Sequence, residues 1–437
     1  MQLSAADIAR ATDGRLIGPD VVVDGVAFDS RELAPGQLFV PVVAERDGHD
    51  FIGGAVEAGA VAYLTERELV VEPATAILVA DTAAAFLSIG SLARDRLPHR
   101  VIGITGSVGK TSVKDLTAAA LARHYRTQAN PKSFNNDLGV PYTLANAPDG
   151  VEAVVVEMGM RGFGEIERLC RIARPTIGVV TVLGEAHVGR VGGAEGVAVA
   201  KGELIAALPA SGTAILNAEQ PRCLALSRLT DASILTFGRD VGEVRAEDIR
   251  LDDLARASFR LATPWGSMHV VLRASGGHMA ANAAAAAAAA LAAGTPLERV
   301  VAGLAGASLS PWRMEMVHTA AGAVVLNDAY NANPTSMEAA LRTLAALPSS
   351  GRRVAVLGPM AELDDDGPQR HRDMAALARS LGIDLVAVGT SDYGIEPTDD
   401  PVAKVGPLVK GDSVLVKGSR VAGLERVAAV LIALEGR

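Results

Sequence analysis

Short apolar runs recur along the chain, and polar or glycine-rich turns separate them. In the middle of the chain, the runs at 101–104, 151–156 and 177–183 alternate with segments of helical periodicity at 111–124 and 194–208. Runs that are apolar at nearly every position are typical of strands buried on both faces, and their alternation with helices is typical of parallel sheets. The pattern therefore predicts a central α/β region with a parallel sheet.

The two ends of the chain carry further patterns. Residues 1–98 mix shorter extended runs with polar turns, which predicts a smaller α/β domain. Residues 311–437 repeat the alternation of strands and helices, which predicts a second, doubly wound parallel sheet. At about 150 residues per domain, a chain of 437 residues has room for about three domains. We therefore expect domains at 1–98, 99–310 and 311–437.

The composition excludes several classes of function. The net charge of −9 and the aromatic fraction of 3% argue against general nucleic-acid binding, which needs basic patches and stacking rings. The mean hydropathy of +0.26 comes from Ala, Val and Leu spread along the chain without a lipophilic run of about 18 residues, so we expect no membrane span. Cys170 and Cys223 are too few for a disulfide framework, and the first residues lack a secretory signal, so we expect a cytoplasmic protein.

A glycine-rich turn lies between the run at 101–104 and the helical segment that follows it. In this order of strand, turn and helix, backbone N–H groups and a helix N-terminus bind phosphates. Lys110 would then reach the terminal phosphates of a nucleotide, and the Thr111 hydroxyl would hold Mg²⁺. The strict P-loop spacing is not met, because Ile104 stands five positions before Gly109, so a plain glycine-rich turn is the alternative. The predicted phosphate-binding residues are Thr105, Gly106, Ser107, Val108, Gly109, Lys110, Thr111 and Ser112.

Two more polar side chains follow the next two apolar runs. Glu157 stands at the end of the run at 151–156, where its carboxylate would hold the same Mg²⁺. His187 lies in a turn bounded by glycines after the run at 177–183. Because the carboxyl ends of parallel strands meet at one edge of a sheet, we expect both side chains near Lys110. An ordinary strand-end glutamate and a structural histidine are the alternatives.

Lys201 shares a helical face with aliphatic side chains, since it falls four positions after Val197 and three before Leu204. A desolvated lysine has a lowered pKa, and its neutral amine can add CO₂ to form a carbamate, an anionic oxygen ligand for a second Mg²⁺. The alternative is a lysine whose stem covers the core while its amine reaches water. Spacing alone favours this second alternative.

Two sets of amides are weaker candidates. Asn135 and Asn136 belong to a polar loop, which is either part of a ligand site or an ordinary turn. Asn282 stands inside a run of alanines, where its poor helix propensity needs a reason. That reason is a hydrogen bond either to a nucleobase or within the core.

Polar residues also follow strands of the last block. Asp328 would bind ribose hydroxyls and Arg313 phosphate oxygens, or both would cap and pair locally. Lys417 and Arg420, which follow a strand and open a helix, would suit a carboxylate.

Together these motifs resemble the Mur ligases, the ATP-dependent amide-bond ligases of peptidoglycan precursor synthesis. The resemblance covers essentially the whole chain. It implies an N-terminal domain that holds a UDP-sugar, a central P-loop ATPase domain, and a C-terminal Rossmann-like domain that closes over ATP and the incoming amino compound. It is carried by the segments 28–31, 48–51, 105–112, 134–141, 327–334 and 416–420, which read FDSR, GHDF, TGSVGKTS, FNNDLGVP, NDAYNANP and VKGSR.

Among Mur ligases, the chain is most similar to the enzymes that add D-alanyl-D-alanine. This similarity implies a ligase that uses ATP and Mg²⁺ to join D-alanyl-D-alanine to UDP-N-acetylmuramoyl-tripeptide through an acyl phosphate. We expect it to be a monomer. The alternatives are another Mur-type amino-acid or folate ligase and a P-loop regulatory ATPase.

The resemblance also implies roles for single residues. Lys110 contacts phosphates, Thr111 and Glu157 serve the first Mg²⁺, and His187 and a carbamylated Lys201 serve the second. The residues implied in nucleotide binding outside the P-loop are Asn282, Arg313 and Asp328, and those implied in catalysis are Lys110, Glu157, His187, Lys201 and Arg313. The residues implied on the UDP-peptide and its acceptor are Ser30, Arg31, Arg46, Asp47, His49, Asn135, Asn136, Tyr330, Asn331, Lys417 and Arg420.

One position departs from the family pattern. Val182 stands where the family usually has an asparagine, five residues before His187. This departure leaves the hydrogen bonding of the loop open.

Overall fold

The computed structural model describes residues 1–68, 70–184, 191–363 and 366–433. Within these ranges, three sheets of five or more strands follow one another along the chain at 15–78, 101–275 and 315–417, in addition to a two-stranded sheet within residues 2–24. None of the helices in the described ranges combines the length and apolarity that a bilayer crossing requires. The expected α/β fold class is confirmed.

The first sheet belongs to a small α/β unit. Its elements are β1 (Gln2–Ser4), α1 (Ala5–Ala11), β2 (Arg15–Ile17), β3 (Val22–Asp24), β4 (Val26–Ala27), β5 (Leu38–Phe39), α2 (Ile52–Glu57), β6 (Ala62–Thr65), β7 (Thr75–Leu78) and α3 (Thr82–Arg94), with a 3-10 turn at Gly48–Phe51. The sheet has the order β2-β7-β6-β5-β4, in which β2 is the antiparallel edge, while β1 and β3 form a separate antiparallel pair.

The central sheet is the largest. Its strands are β8 (Val101–Thr105), β9 (Thr127–Ala129), β10 (Ala153–Glu157), β11 (Ile177–Val180), β12 (Thr213–Asn217), β13 (Ser233–Arg239), β14 (Val244–Leu251), β15 (Arg256–Thr263) and β16 (Gly266–Ser275). Its helices are α4 (Lys110–Leu121), α5 (Gly139–Ala145), α6 (Glu165–Ala173), α7 (Ala194–Ala206), α8 (Pro221–Ala225), α9 (Met279–Ala292) and α10 (Leu297–Gly306), with a 3-10 turn at Leu226–Leu229.

The strand order of this sheet is β16-β15-β14-β13-β12-β11-β8-β10-β9. The strands from β9 to β14 are parallel to their neighbours, whereas β15 and β16 extend the sheet as an antiparallel hairpin. The runs of apolar residues predict the parallel part but not this hairpin, because its strands alternate apolar and polar residues and bury only one face. Since β8 lies between β10 and β11, the loops that follow these three strands meet at one edge.

Helix α9 explains the alanine run in the sequence. Residues 283–290 are all alanine and all buried, and the helix packs against α4, β13 and β14. Methyl side chains let two helices approach closely, so α9 lies beside the helix that begins at Lys110.

The third sheet is doubly wound, as expected. Its elements are β17 (Glu315–His318), β18 (Val324–Asp328), α11 (Pro334–Ala346), β19 (Arg353–Leu357), α12 (Gly367–Ser380), β20 (Asp384–Ala387), α13 (Pro401–Val405), β21 (Ser413–Lys417) and α14 (Glu425–Ala433), with a 3-10 turn at Arg420–Ala422. The order is β17-β18-β21-β19-β20, and all pairs except β17 with β18 are parallel. Helices α11 and α12 cover one face of the sheet, and α13 and α14 cover the other.

Candidate active site

A cavity of about 780 Å³ lies between the carboxyl edges of the central and C-terminal sheets. It brings together most of the residues that the sequence predicts for a nucleotide and its acceptors. Those that line it are Ser107, Val108, Gly109, Lys110, Thr111, Ser112, Asn135, Asn136, Glu157, Lys201, Asn282, Arg313, Asp328, Tyr330, Asn331, Lys417 and Arg420. Residues of two sheets therefore face one space, as the rule for ligand sites in open α/β sheets predicts.

The glycine-rich turn between β8 and α4 forms one wall of the cavity. Gly106 has φ +147°, and a Cβ at this position would lie 2.0 Å from Thr181 Oγ1, so the turn requires a glycine here. The backbone N–H of Ser107 donates to the carbonyl of Val182 at 2.7 Å, which joins the turn to the loop after β11. The remaining N–H groups of the turn and of the α4 N-terminus are the kind that bind phosphate oxygens.

Lys110 folds back over this turn. Its Nζ donates to the carbonyl of Gly106 at 2.8 Å. Burial lowers the pKa of the Lys110 ammonium, while the nearby carboxylates of Glu157 and Glu362 oppose this shift. The lysine is thus held over the glycine-rich turn and needs only a rotation of its side chain to reach an anion in the cavity.

Glu157 ends β10 with one carboxylate oxygen unsatisfied. Its Oε1 accepts a hydrogen bond from Asn135 Nδ2 at 2.7 Å, whereas Oε2 is buried and has no hydrogen-bond partner among the described residues. A buried carboxylate oxygen without a donor is costly, and a cation satisfies it. Among the described residues, no three or more His, Cys, Asp or Glu side chains are grouped so that they could hold a metal ion. A carboxylate oxygen that lines the cavity fits Mg²⁺, which takes one or two protein oxygens and completes its shell with water and phosphate.

Lys201 lies in α7 with 1% of its surface exposed. Burial lowers its pKa well below the usual value, and the positive charge of Lys110 lowers it further, against an opposing contribution from Glu362. The side chain therefore does not reach water, and the alternative that spacing alone favours is wrong. A lysine with a depressed pKa has a larger fraction of neutral amine at neutral pH, which is the form that reacts with CO₂.

The loop after β11 bears on two sequence predictions. His187 lies outside the described residues. Val182 lines the cavity. Besides the hydrogen bond from Ser107 to the Val182 carbonyl, its loop is held from β12 and the turn after it: Asn217 Nδ2 donates to the carbonyl of Thr181 at 2.9 Å, and Gln220 Oε1 accepts from the N–H of Leu183 at 2.8 Å. Side chains of β12 and of the turn that follows it thus help to hold the loop in which Val182 replaces the asparagine usual in the family.

On the C-terminal wall, Asp328 and Lys417 occupy paired positions at the ends of β18 and β21. Lys417 is 2% exposed, and its Nζ lies 2.5 Å from Asp328 Oδ2 and 2.8 Å from the carbonyl of Asn331. Asp328 is thus paired, but with a lysine of the adjacent strand 89 positions away rather than with a neighbour in the sequence. The pair still lines the cavity, so it orients the Asp328 carboxylate there.

Arg313 connects the two walls. Its Nη2 donates to Thr111 Oγ1 at 2.8 Å and to Ser133 Oγ at 3.1 Å. Its guanidinium stacks on the Tyr330 ring at 4.1 Å. One residue earlier, Trp312 carries the guanidinium of Arg420 on its ring at 4.4 Å. The linker between the two sheets, which is formed by residues 307–314, is thus in direct contact with residues of both.

Five predicted residues of the N-terminal unit do not line this cavity: Ser30, Arg31, Arg46, Asp47 and His49. Arg31 donates to both carboxylate oxygens of Asp29, at 2.9 and 2.6 Å, and this pairing lowers the pKa of Asp29 to about 2. His49 is buried, its Nδ1 lies 2.6 Å from Asp47 Oδ1, and its Nε2 accepts from the N–H of Glu66 at 3.1 Å. Both ring nitrogens of His49 are therefore used within the N-terminal unit.

A cluster of aromatic rings joins this unit to the cavity. Phe28 lies 5.6 Å from Phe134 and 5.5 Å from Tyr142, measured between ring centroids. Phe134 immediately precedes Asn135, which lines the cavity. The loop of Ser30 and the loop of Asn135 are therefore neighbours.

Several cavity residues escape the sequence analysis: Ser133, Glu219, Arg239, His278 and Glu362. Glu219 and Arg239 follow or end neighbouring strands, so a stricter use of the strand-end rule would have found them. Arg239 Nη2 lies 2.7 Å from Glu219 Oε2.

His278 precedes Asn282 by four positions on one helix face, a spacing that indicates a shared site. Burial lowers the pKa of His278, so its ring stays neutral to lower pH than an exposed histidine.

Family models match the two larger parts of the chain. The Mur ligase middle domain matches residues 104–290, and the glutamate ligase domain of Mur ligases matches residues 312–405. The chain belongs to the Mur ligase family, as the sequence motifs indicate.

Several relatives that match the chain over nearly its full length belong to one branch of the Mur ligases, the enzymes that act on D-alanyl-D-alanine. The chain is 38% identical to the UDP-N-acetylmuramoyl-tripeptide–D-alanyl-D-alanine ligase of Mycobacterium tuberculosis strain H37Rv and 36% identical to that of Escherichia coli K12, and in each case the match covers 99% of this chain and 98% of the relative. A crystal structure of MurF from Acinetobacter baumannii has a TM-score of 0.88 at 32% identity, with 99% of both chains covered. MurF from Thermotoga maritima, solved in complex with ADP, has a TM-score of 0.82 at 26% identity, with 94% of this chain and 97% of that chain covered.

Proposed function

We propose that the chain is an ATP-dependent carbon–nitrogen ligase that joins D-alanyl-D-alanine to UDP-N-acetylmuramoyl-tripeptide in peptidoglycan precursor synthesis. The products are the UDP-linked pentapeptide, ADP and phosphate. One observation carries the proposal. In a chain similar over its full length to ligases of this activity, the P-loop and the charged strand ends of the C-terminal sheet face a single cavity.

The phosphates of ATP belong on the wall formed by the glycine-rich turn. Backbone N–H groups of the turn hold the phosphates, and Lys110 leaves the Gly106 carbonyl to contact the terminal one. Asn282 lies beside this wall, since a Cβ at Gly109 would come within 2.8 Å of its Oδ1. We assign its amide to the adenine. Arg313 and Asp328 approach the same nucleotide from the linker and the C-terminal sheet.

Magnesium would be held by Thr111 and Glu157 at the first position, and by carbamylated Lys201 and His187 at the second. When bound, it neutralises charge on the transferring phosphoryl group. The unsatisfied Oε2 of Glu157 supports the first position. The complete burial and lowered pKa of Lys201 support the second, because both favour the neutral amine that forms a carbamate.

The chemical difficulty of the reaction lies in the tripeptide carboxylate, which is a poor electrophile. One of its oxygens attacks the terminal phosphorus of ATP, the bond from that phosphorus to ADP breaks, and an acyl phosphate forms. The ammonium of Lys110 offsets the charge that develops on the phosphoryl oxygens. The amine of D-alanyl-D-alanine then attacks the acyl carbon, loses a proton, and phosphate leaves. An acyl phosphate hydrolyses, so the reaction needs the water exclusion that closure of the C-terminal domain supplies.

The incoming dipeptide belongs on the C-terminal wall. We propose that Lys417 and Arg420 attract its carboxylate, with Tyr330 and Asn331 beside it. Lys417 also fixes the carboxylate of Asp328 at 2.5 Å, so this one wall presents both a positive and a negative group to a zwitterionic ligand.

The UDP end of the other substrate belongs in the N-terminal unit. Arg46 is an exposed cation available to its phosphates, whereas the exposed Arg31, next to Ser30, would have to leave the carboxylate of Asp29 to reach them. The pair of the partly exposed Asp47 and the buried His49 would shape the turn that presents them. From there the peptide would pass Asn135 and Asn136 to reach the cavity.

A coupled assay of phosphate release tests the function. We expect release only when ATP, UDP-N-acetylmuramoyl-tripeptide and D-alanyl-D-alanine are all present, because neither ligation step can proceed without its acceptor. The matched controls omit one acceptor at a time. ATP turnover that is indifferent to both compounds would contradict the proposal and favour a regulatory ATPase. Product formation with single amino acids or folates instead would indicate another ligase of the same fold.

Arg313→Lys should reduce kcat/KM by roughly 10–100-fold, because a charged hydrogen bond contributes about 1.5–3 kcal/mol and lysine cannot keep the contacts to Thr111, Ser133 and the Tyr330 ring together. Steady-state kinetics against each substrate measure the effect. Arg372→Lys is the control, since Arg372 lies on exposed turns of α12 and bonds only Gln369 among the described residues. Equal activity of the two variants would remove Arg313 from the site.

We also propose domain limits at 1–98, 99–310 and 311–437, a monomer and a cytoplasmic location. The limits are supported by the sheets at 15–78, 101–275 and 315–417. A monomer is supported by a cavity whose two walls both come from one chain, and light scattering tests it. The location is supported by Cys170 and Cys223, which are both free and buried.

A further inference from the structure

Lys114 is a buried charge that the proposed reaction does not use. It lies on α4, one turn after Lys110, and is 2% exposed. Its ammonium donates to the carbonyls of Asn130 at 3.0 Å and Lys132 at 2.8 Å, and it forms an ion pair with Asp115 Oδ1 at 2.9 Å. The three donors of the ammonium are all used, which is the condition under which a protein tolerates a buried charge.

The two carbonyls that Lys114 holds belong to the loop 130–137. Lys132 has φ +51°, a left-handed conformation that is uncommon for a residue with a side chain and persists only where the surroundings fix it. The side chain of Asn130 anchors the start of the loop to β10: its Oδ1 accepts from the N–H of Glu157 at 2.9 Å, and its Nδ2 donates to the Glu157 carbonyl at 3.1 Å. The loop is therefore held on one side by β10 and on the other by Lys114.

Side chains of this loop reach the reacting centre. Ser133 Oγ lies 3.3 Å from Thr111 Oγ1 and 3.1 Å from Arg313 Nη2. Asn135 Nδ2 donates to Glu157 Oε1 at 2.7 Å. A shift of the loop would thus move ligands on the UDP-peptide path and one partner of the metal-binding carboxylate at the same time.

The same ion pair also reaches the linker between the sheets. Asp115 Oδ2 accepts a hydrogen bond from the backbone N–H of Ser310 at 2.7 Å. Arg313 follows three residues later and bonds Thr111, which precedes Asp115 by four positions on the same face of α4. The linker is therefore fixed to the nucleotide helix at two points one turn apart.

We propose that Lys114 and Asp115 are positioning residues that hold the loop 130–137 and the interdomain linker in register with the nucleotide helix. This inference rests on the proposed function and assigns the pair to the use of the UDP-peptide rather than to the binding of ADP. The phosphate-binding turn precedes α4 and does not contact Lys114 through any hydrogen bond in the described part of the chain. Loss of the pair should therefore raise the KM for the UDP-peptide and leave the affinity for ADP unchanged.

Lys114→Met removes the charge and keeps most of the side-chain volume. We expect the KM for UDP-N-acetylmuramoyl-tripeptide to rise by about tenfold or more, since the loop loses two charge-assisted hydrogen bonds. The dissociation constant for ADP, measured by calorimetry, should stay within about twofold of the wild-type value because the turn is untouched. Hydrogen exchange should accelerate in 130–137. Lys404→Met, at an exposed site in α13, is the matched control and should change none of these quantities.

Asp115→Asn is the second variant. It keeps an oxygen for the N–H of Ser310 but removes the charge that faces Lys114. We expect a smaller rise in the same KM, again without loss of ADP affinity. If Lys114→Met does not fold, this variant decides the question on the same measurements.

Two results would overturn the inference. One is a folded Lys114→Met protein with unchanged KM for the UDP-peptide and unchanged exchange in 130–137. The other is an equal loss of affinity for ADP, which would mean that the lysine supports α4 as a whole. A wild-type protein that makes no product from the UDP-peptide would instead contradict the proposed function. The exchange and ADP measurements need no turnover, so they test the pair in either case.

Discussion

Lys110→Met should lower kcat by about 10²–10³-fold, the usual loss when one fixed donor to a developing negative charge is removed. In the structure its ammonium rests on the Gly106 carbonyl, so its main partner appears only when a phosphoryl group enters the cavity. ADP binding should therefore weaken much less than turnover. Rapid-quench measurement of the single-turnover rate, beside calorimetry with ADP, gives both quantities.

Lys410→Met is the control for this variant, because Lys410 is an exposed lysine of the C-terminal unit that lies outside the cavity. It should behave as wild type in both measurements. If Lys110→Met kept wild-type turnover, the assignment of the glycine-rich turn to the transferred phosphate would be wrong.

Lys201→Ala should lower activity by about 10²-fold or more, since it deletes the proposed carbamate, an anionic ligand, from a site where metal and phosphate charges must balance. Small carboxylates such as acetate should restore part of it, because the truncation leaves space for an anion near the lost carbamate. Lys201→Met is the matched control: it removes the same amine but fills the space, and acetate should not rescue it. Rescue of both variants, or of neither, would contradict a carbamate at this position.

The proposed carbamate on Lys201 also predicts a pH dependence. Burial lowers the pKa of Lys201, so the amine stays neutral and open to CO₂ down to a lower pH than an exposed lysine would. As pH falls through this lowered pKa, the amine is protonated, CO₂ is lost and activity should fall. Carbon-13 NMR with labelled bicarbonate should show a carbamate signal in the wild type, absent from Lys201→Met. Activity that is indifferent to removal of CO₂ at low pH would count against the modification.

Part of this architecture can be predicted directly from the amino-acid sequence. The apolar runs that became β8, β10 and β11 predict buried parallel strands, and strand order then brings the turn at Lys110 and the carboxylate of Glu157 to one edge. Local pattern suffices here because each run is apolar on both faces. The hairpin of β15 and β16 was missed for the opposite reason: its strands bury one face only, under α9 and α10, and read as ordinary polar segments.

Other features depend on tertiary packing that spacing does not encode. The face shared by Lys201, Val197 and Leu204 fits a lysine whose amine reaches water as well as one that is enclosed, and only the packing of α7 decides between them. Likewise, nothing local indicates that Asp328 pairs with Lys417, 89 positions away, because the contact arises from the adjacency of β18 and β21. Predictions of residue type at strand ends were therefore better than predictions of which residues pair.

The alanine helix restricts how this active site can change during evolution. The alanines at 283–290 are completely buried, and their helix packs against α4, β13 and β14. A larger side chain at any of them would therefore displace the helix that starts at Lys110. Heritable variation that alters the cavity from this helix is thus confined to its beginning, where His278, Met279, Ala281 and Asn282 line the cavity. Within this helix, resistance to an inhibitor that imitates adenine would have to arise at those few positions.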